Sequence, residues 1–172
     1  IAWPAPRGGD ADYVAAFELI VLPLLRAFSP DLLLVSAVFD AADCDVQGDM
    51  AITPSGFARL TKQLQSTGCP MALALEGGYN ASVTNACCEA VVRALVDDNA
   101  GEPPPPLPRP SRSCEPTLRA VLRVHQPLWP TTLANADALF DAYFQHASEV
   151  GAPDRASKRR KTKLSLLHLS EP

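Results

Sequence analysis

The sequence predicts an α/β fold, a parallel sheet flanked by helices, on two observations. Two short, unbroken apolar runs, Leu32–Ala37 and Met71–Leu75, have the composition of strands buried on both faces. Between them, Phe57, Leu60, Thr61 and Leu64 recur at helical spacing. Strands joined through a helix favour parallel pairing in one sheet. Ligands of such sheets bind beyond the carboxyl ends of the strands. The loops that follow Ala37 and Leu75 are therefore the places to look for chemistry.

The remaining elements follow in order. Tyr13, Phe17, Ile20, Leu24 and Phe28 are spaced as one face of a helix over about 11–28. Pro23 is expected to kink or break it, and Ser29-Pro30-Asp31 to stop it. Thr53 and Pro54 read as the cap and first residue of the second helix, with Gly68 as its stop. Glu76-Gly77-Gly78-Tyr79-Asn80 reads as a tight loop, and a third helix covers about 82–96. After Gly101 the chain becomes polyproline-like, with Pro103–Pro106, Pro108 and Pro110. Two further helices are predicted, near 117–124 and 133–150, the second with Leu139, Phe140, Tyr143 and Phe144 on its apolar side. The polar stretch 151–172 reads as a flexible tail.

Bulk properties narrow the function. The chain has 172 residues, 47% of them apolar, enough for a real core. A net charge of −4 argues against nucleic-acid binding by the folded part. No apolar run reaches the roughly 18 residues that span a bilayer. The five cysteines are odd in number, form no CxxC pair, and read as reduced thiols of the cytosol or nucleus. Ile1-Ala2-Trp3-Pro4 is neither an initiating Met nor a signal peptide, so the chain reads as a piece of something longer.

Two residues carry candidate chemistry on their position alone. Asp40 follows the first strand and opens a loop with Asp43, Asp45 and Asp49. A carboxylate there is either a metal ligand or ordinary loop solvation. Tyr79 follows two glycines at the end of the second strand, where its hydroxyl is placed to donate to an oxyanion or simply to anchor a turn. His125, His146 and His168 lie away from both loops and read as packing or surface residues. Lys158–Lys163 is a basic run resembling a nuclear localisation signal.

Three ordered stretches then carry a family resemblance: Gly9-Asp10-Ala11-Asp12-Tyr13, Leu34 through Ala42, and Leu75 through Asn80. Over about residues 1–108, with the Thr53–Leu64 helix agreeing, they resemble the histone deacetylase family. Glu76-Gly77-Gly78-Tyr79 resembles its class II branch, whose class I counterparts have a longer glycine run. The proline-rich exit after Glu102 resembles class II members of the yeast Hda1 and class IIb type.

The resemblance implies an arginase/deacetylase fold and hydrolysis of acetyl-lysine amides. It implies a zinc held by one His and two Asp, a tandem His pair that moves protons, and a Tyr that stabilises the oxyanion. By that correspondence Asp40 is the last zinc ligand and Tyr79 the oxyanion donor, while Val46, Gln47, Gly77 and Gly78 line the substrate channel. Residues 1–108 correspond to the C-terminal part of a catalytic domain, followed by a helical extension over 109–150. The His pair and the other two ligands are expected upstream of Ile1, so this chain alone is expected to be inactive. Val38 stands where the family has Gly, and Gln47 where it has an apolar channel residue. The implied partners are acetylated proteins such as histone tails, and corepressors, in the nucleus and/or cytoplasm. The alternative is a catalytically degenerate domain kept for interaction or regulation.

Overall fold

The computed structural model describes residues 1–3, 7–96 and 106–145. The elements run α1 (Asp10–Ala16), a π turn (Phe17–Val21), α2 (Leu22–Phe28), β1 (Leu33–Val38), α3 (Pro54–Gln65), β2 (Met71–Gly77), α4 (Ala81–Val96), α5 (Glu115–His125) and α6 (Ala136–Gln145). Among the described residues the sheet has two strands, β1 and β2, paired in parallel from Leu33↔Met71 to Val38↔Gly77.

The first helix differs from its prediction. Pro23 breaks nothing, because it sits in the first turn of α2 and a π turn precedes it. Proline removes one amide donor and crowds the carbonyl four residues back, and a widened turn at that point accommodates both. The extra residue per turn also rotates the buried face. Val14, Ala15, Ala16, Leu19, Ile20 and Leu22 are buried, whereas Phe28 is 68% exposed.

The strands, too, are not buried on both faces. On one face, Ala37 and Leu73 pack with Phe57 of α3 against a core of Phe39, Ala42, Cys87 and Val91. On the other, Leu34, Ser36, Ala72, Ala74 and Glu76 are exposed. Ser36 donates to Glu76 across that open face at 2.7 Å. An unbroken apolar run reports composition, not which layers cover the sheet.

α3 begins as its sequence dictates. The Thr53 hydroxyl accepts from the Gly56 amide at 3.0 Å and donates to Asp10 at 2.6 Å. The Thr53 amide donates to the other Asp10 oxygen at 2.8 Å. The helix ends at Gln65, and Gly68 lies in the following turn with φ +75°.

The larger core joins the first helices to the C-terminal ones: Ala15, Ala16, Leu19 and Ile20 meet Leu118, Leu122, Leu133, Phe140 and Phe144. Leu139, expected on the buried side of α6, is 61% exposed. Three polar ties lock this packing. Buried Asp12 accepts from Gly9 at 3.0 Å and from the Ser111 amide at 2.6 Å. Glu18 accepts from Tyr143 and from Gln63, each at 2.9 Å, linking α6 and α3 to the π turn. Arg119 bonds Glu115 and Asp141 and lies 4.2 Å from the centroid of the Phe140 ring.

Leu118 is fully buried. Leu118→Ala is expected to cost about 2–5 kcal/mol and Thr53→Ala about 1–2 kcal/mol, read from denaturant midpoints. The thiols give an independent check. Burial pushes Cys87 up to about 11 and Cys114 up to about 12, so both stay protonated at pH 8, while Cys44 is exposed. Only the thiolate is nucleophilic. Alkylation of the folded chain, followed by mass spectrometry, should modify Cys44 and spare Cys87 and Cys114, which label only after unfolding.

Candidate active-site half

The site is built on the carboxyl ends of β1 and β2. β1 runs straight into a 3₁₀ turn, Phe39–Ala41. Phe39 is buried and meets Phe57 edge to face at 5.0 Å. That anchor sends the Phe39 ring into the core and leaves Asp40 half-buried beside β2. Gly77 forms the wall facing it: a Cβ there would lie 3.1 Å from Asp40 Oδ2 and 2.8 Å from Val38 Cγ1. The valine at 38 therefore fills the space over Gly77, next to the Asp40 carboxylate. Gly48 folds back so closely that a Cβ would lie 1.6 Å from the Asp40 carbonyl oxygen.

The loop between Asp40 and α3 closes on itself through an Ala42↔Ile52 bridge, and Ala51 pairs with Gly9. At its tip is Asp45. One Asp45 oxygen accepts from the Gln47 amide at 2.8 Å and the Gly48 amide at 3.2 Å. The other accepts from the Tyr79 amide at 2.7 Å and the Asn80 amide at 3.1 Å. Backbone donation, led by Gln47, holds the Asp45 carboxyl below the usual carboxylate range. Asn80 adds a side-chain bond to the Cys44 carbonyl at 3.0 Å, and its own carbonyl accepts from Thr84 in the first turn of α4 at 2.8 Å. Gly78, at φ +134°, turns the chain between β2 and this tether.

The expected site residues fall as follows. Asp40 and Tyr79 are on the two loops that the parallel pairing places at one end of the sheet. The Tyr79 side chain is 52% exposed. Gly77 and Gly78 form the backbone between them, and Val46 and Gln47 are exposed on the Asp45 loop. His125 ends α5, away from these loops, and His146 and His168 lie outside the described residues, as does Lys158–Lys163. A cavity of about 350 Å³ is at the opposite end of the strands, among Leu25, Pro30, Thr67 and Cys69.

The residues do not by themselves fit a zinc centre. Among the described residues no three His, Cys, Asp or Glu side chains group to hold a metal. Three of the neighbouring acids are committed elsewhere: Asp45 to four amides, Asp43 to Arg7 and Asp10 to Thr53. Asp40 offers one coordination position where a catalytic zinc takes about three protein ligands.

Two residues gain roles that sequence reasoning missed. Asp45 ties the loops together, and its only local signal was an Asp ahead of Gln47-Gly48, an Asx-turn pattern. The Tyr13 ring packs against Trp3 in a tilted arrangement, with centroids 5.1 Å apart. Burial pushes its hydroxyl up, a hydrogen bond with Trp3 opposes this, and the charges of Asp40 and Asp12 add to the rise. Its position near Asp40 follows from packing, not from spacing.

Comparison with known proteins agrees with this geometry. The histone deacetylase domain matches residues 1–95. The chain is 38% identical over 132 residues to histone deacetylase 15 of Arabidopsis thaliana, covering 76% of this chain and 24% of that protein. It is 36% identical over 130 residues to histone deacetylase HDA1 of Saccharomyces cerevisiae, covering 75% and 18%. The crystal structure of the HDA15 HD domain superposes with a TM-score of 0.72 at 38% identity, covering 79% of this chain and 37% of that one. The chain thus spans about a quarter or less of the curated relatives it matches. With a domain match over more than half its length and the motif loops at one end of a parallel sheet, the chain belongs to the histone deacetylase family.

Proposed function

We propose that this chain supplies one half of a lysine deacetylase active site: Tyr79 as the oxyanion donor and Asp40 as one zinc ligand. The observation that carries the reading is the parallel β1–β2 pair, whose carboxyl ends bring both motif loops together under the Asp45 tether. A tyrosine hydroxyl here donates a hydrogen bond to the oxygen of an acyl group as the carbonyl becomes tetrahedral. Tyr79 is half exposed. The remaining metal ligands and the proton-transfer groups come from outside the described residues.

Acetyl-lysine in proteins such as histone tails is the proposed substrate class. Gln47 and Val46 on the exposed loop, with Gly77 and Gly78, form this chain's side of the channel. A nuclear or cytoplasmic setting and corepressor partners belong to the same reading. Among the described residues no helix is long and apolar enough to cross a membrane. A second reading, a degenerate domain kept for interaction, is favoured by the lone carboxylate and by Val38 crowding Gly77.

Turnover of an acetyl-lysine peptide by the longest natural polypeptide carrying this sequence separates the two. The deacetylase reading expects chelator-sensitive turnover, lost on Asp40→Asn. Tyr79→Phe should lower kcat by about 10²–10³-fold, the cost of one oxyanion donor. No chelator-sensitive turnover would leave the interaction reading standing, and an unchanged rate for Tyr79→Phe would remove Tyr79 from the chemistry.

A further inference from the structure

We infer that Asp45 is the positioning residue for Tyr79, setting where the oxyanion donor stands relative to the Asp40 loop; this deepens the deacetylase reading and rests on it. A glycine turn leaves the placement of the residue after it undetermined. Tyr79 follows Gly77 and Gly78, and Gly78 sits at φ +134°. Gly77 is held in the strand by its pairing with Val38, but Gly78 gives the backbone wide freedom just before the residue whose placement matters most. The Tyr79 side chain is half exposed, so the core does not fix it. A donor that wanders by about 1 Å loses much of its value to a transition state.

Asp45 supplies the missing restraint. Its Oδ2 takes the consecutive amides of Tyr79 and Asn80 at 2.7 and 3.1 Å, a two-point grip on the backbone across 34 and 35 residues. Its Oδ1 takes the Gln47 and Gly48 amides at 2.8 and 3.2 Å, which orients the carboxylate in its own turn. Gly48 in turn lies against the carbonyl of Asp40. One carboxylate therefore couples the segment beside the metal carboxylate to the segment that carries the oxyanion donor. Hydrogen bonds to an ionised acceptor are short and directional, which suits a positional role. The bonds of Asp45 go to backbone amides, so its effect on the chemistry is exerted through Tyr79.

The geometry also distinguishes Asp45 from its acidic neighbours. Asp43 pairs with exposed Arg7 and has no bond to the β2 loop. Asparagine at 45 preserves shape but replaces one acceptor oxygen with a donor that opposes an amide N–H.

The test uses the longest natural polypeptide carrying this sequence, with Asp45→Asn, Tyr79→Phe and the double variant. Asp45→Asn is expected to lower kcat about 10–100-fold on an acetyl-lysine peptide, with KM within about threefold, the pattern of an interaction expressed in the transition state. In the Tyr79→Phe background the same change should alter kcat by less than about threefold, because residues acting as a unit are non-additive. Asp43→Asn is the control and should leave kcat near wild type. Hydrogen exchange gives a readout independent of activity: Asp45→Asn should speed exchange across 77–81 and leave 118–124 unchanged. Equal losses in both backgrounds would overturn the proposal, as would unchanged exchange at 77–81 or a rise across the whole chain. A wild-type chain without turnover would sink the deacetylase reading and with it the catalytic part of this one, while exchange would still decide the tether.

Discussion

Everything at the site depends on the parallel pairing of β1 with β2. Parallel neighbours cannot be joined by a tight hairpin, so the chain must cross back through an intervening element, here α3. That crossover puts both carboxyl ends on the same side. The Asp40 turn and the Tyr79 loop are 39 residues apart in sequence, yet Val38 pairs directly with Gly77. An antiparallel arrangement of the same strands would separate the two loops by the length of the sheet. The Gly77 position then limits how near they come, because a side chain there would strike Val38 and Asp40 together.

Around the site three carboxylates fasten the chain by accepting backbone amides. Asp10 receives the Thr53 amide and hydroxyl, Asp12 receives Gly9 and Ser111, and Asp45 receives amides from two loops. An ionised oxygen satisfies amides that no regular element has paired, and an amide left buried without a partner is expensive. This is why an acidic loop beside a candidate metal ligand adds no further ligands. Asp45 is engaged with four amides and Asp43 with Arg7.

The two-stranded sheet is covered on one face only. On the open face Leu34 is 74% exposed and Val38 36%, alongside the polar Ser36–Glu76 pair. Apolar strand surface of this kind favours association with further structure. The HDA15 HD domain is similar to this chain over 37% of its own length. The C-terminal helices solve a different problem. α5 and α6 bury the first helices through Leu118, Leu122, Phe140 and Phe144, so the segment without a readable motif supplies much of the main core.

Local chemistry made a good part of this molecule readable from residues alone. The Thr53–Pro54 start of α3, the two strands and α4 are set by near-neighbour rules of capping and periodicity, and the structure places them within a residue or two. The motifs around Asp40 and Tyr79 identified the family because they are short and contiguous. Tertiary structure alone decided the rest. The π turn before Pro23 shifted the buried face of the first helix, a cooperative adjustment that spacing does not encode. The open sheet face depends on what stacks against it, and Leu139 points outward because Phe140 and Phe144 fill the space between helices. Asp45 reads locally as one acid among four in a loop. Its grip on Tyr79 and Asn80 exists only once two distant loops share one end of the sheet, because a hydrogen bond forms between positions in space, whatever their distance along the chain.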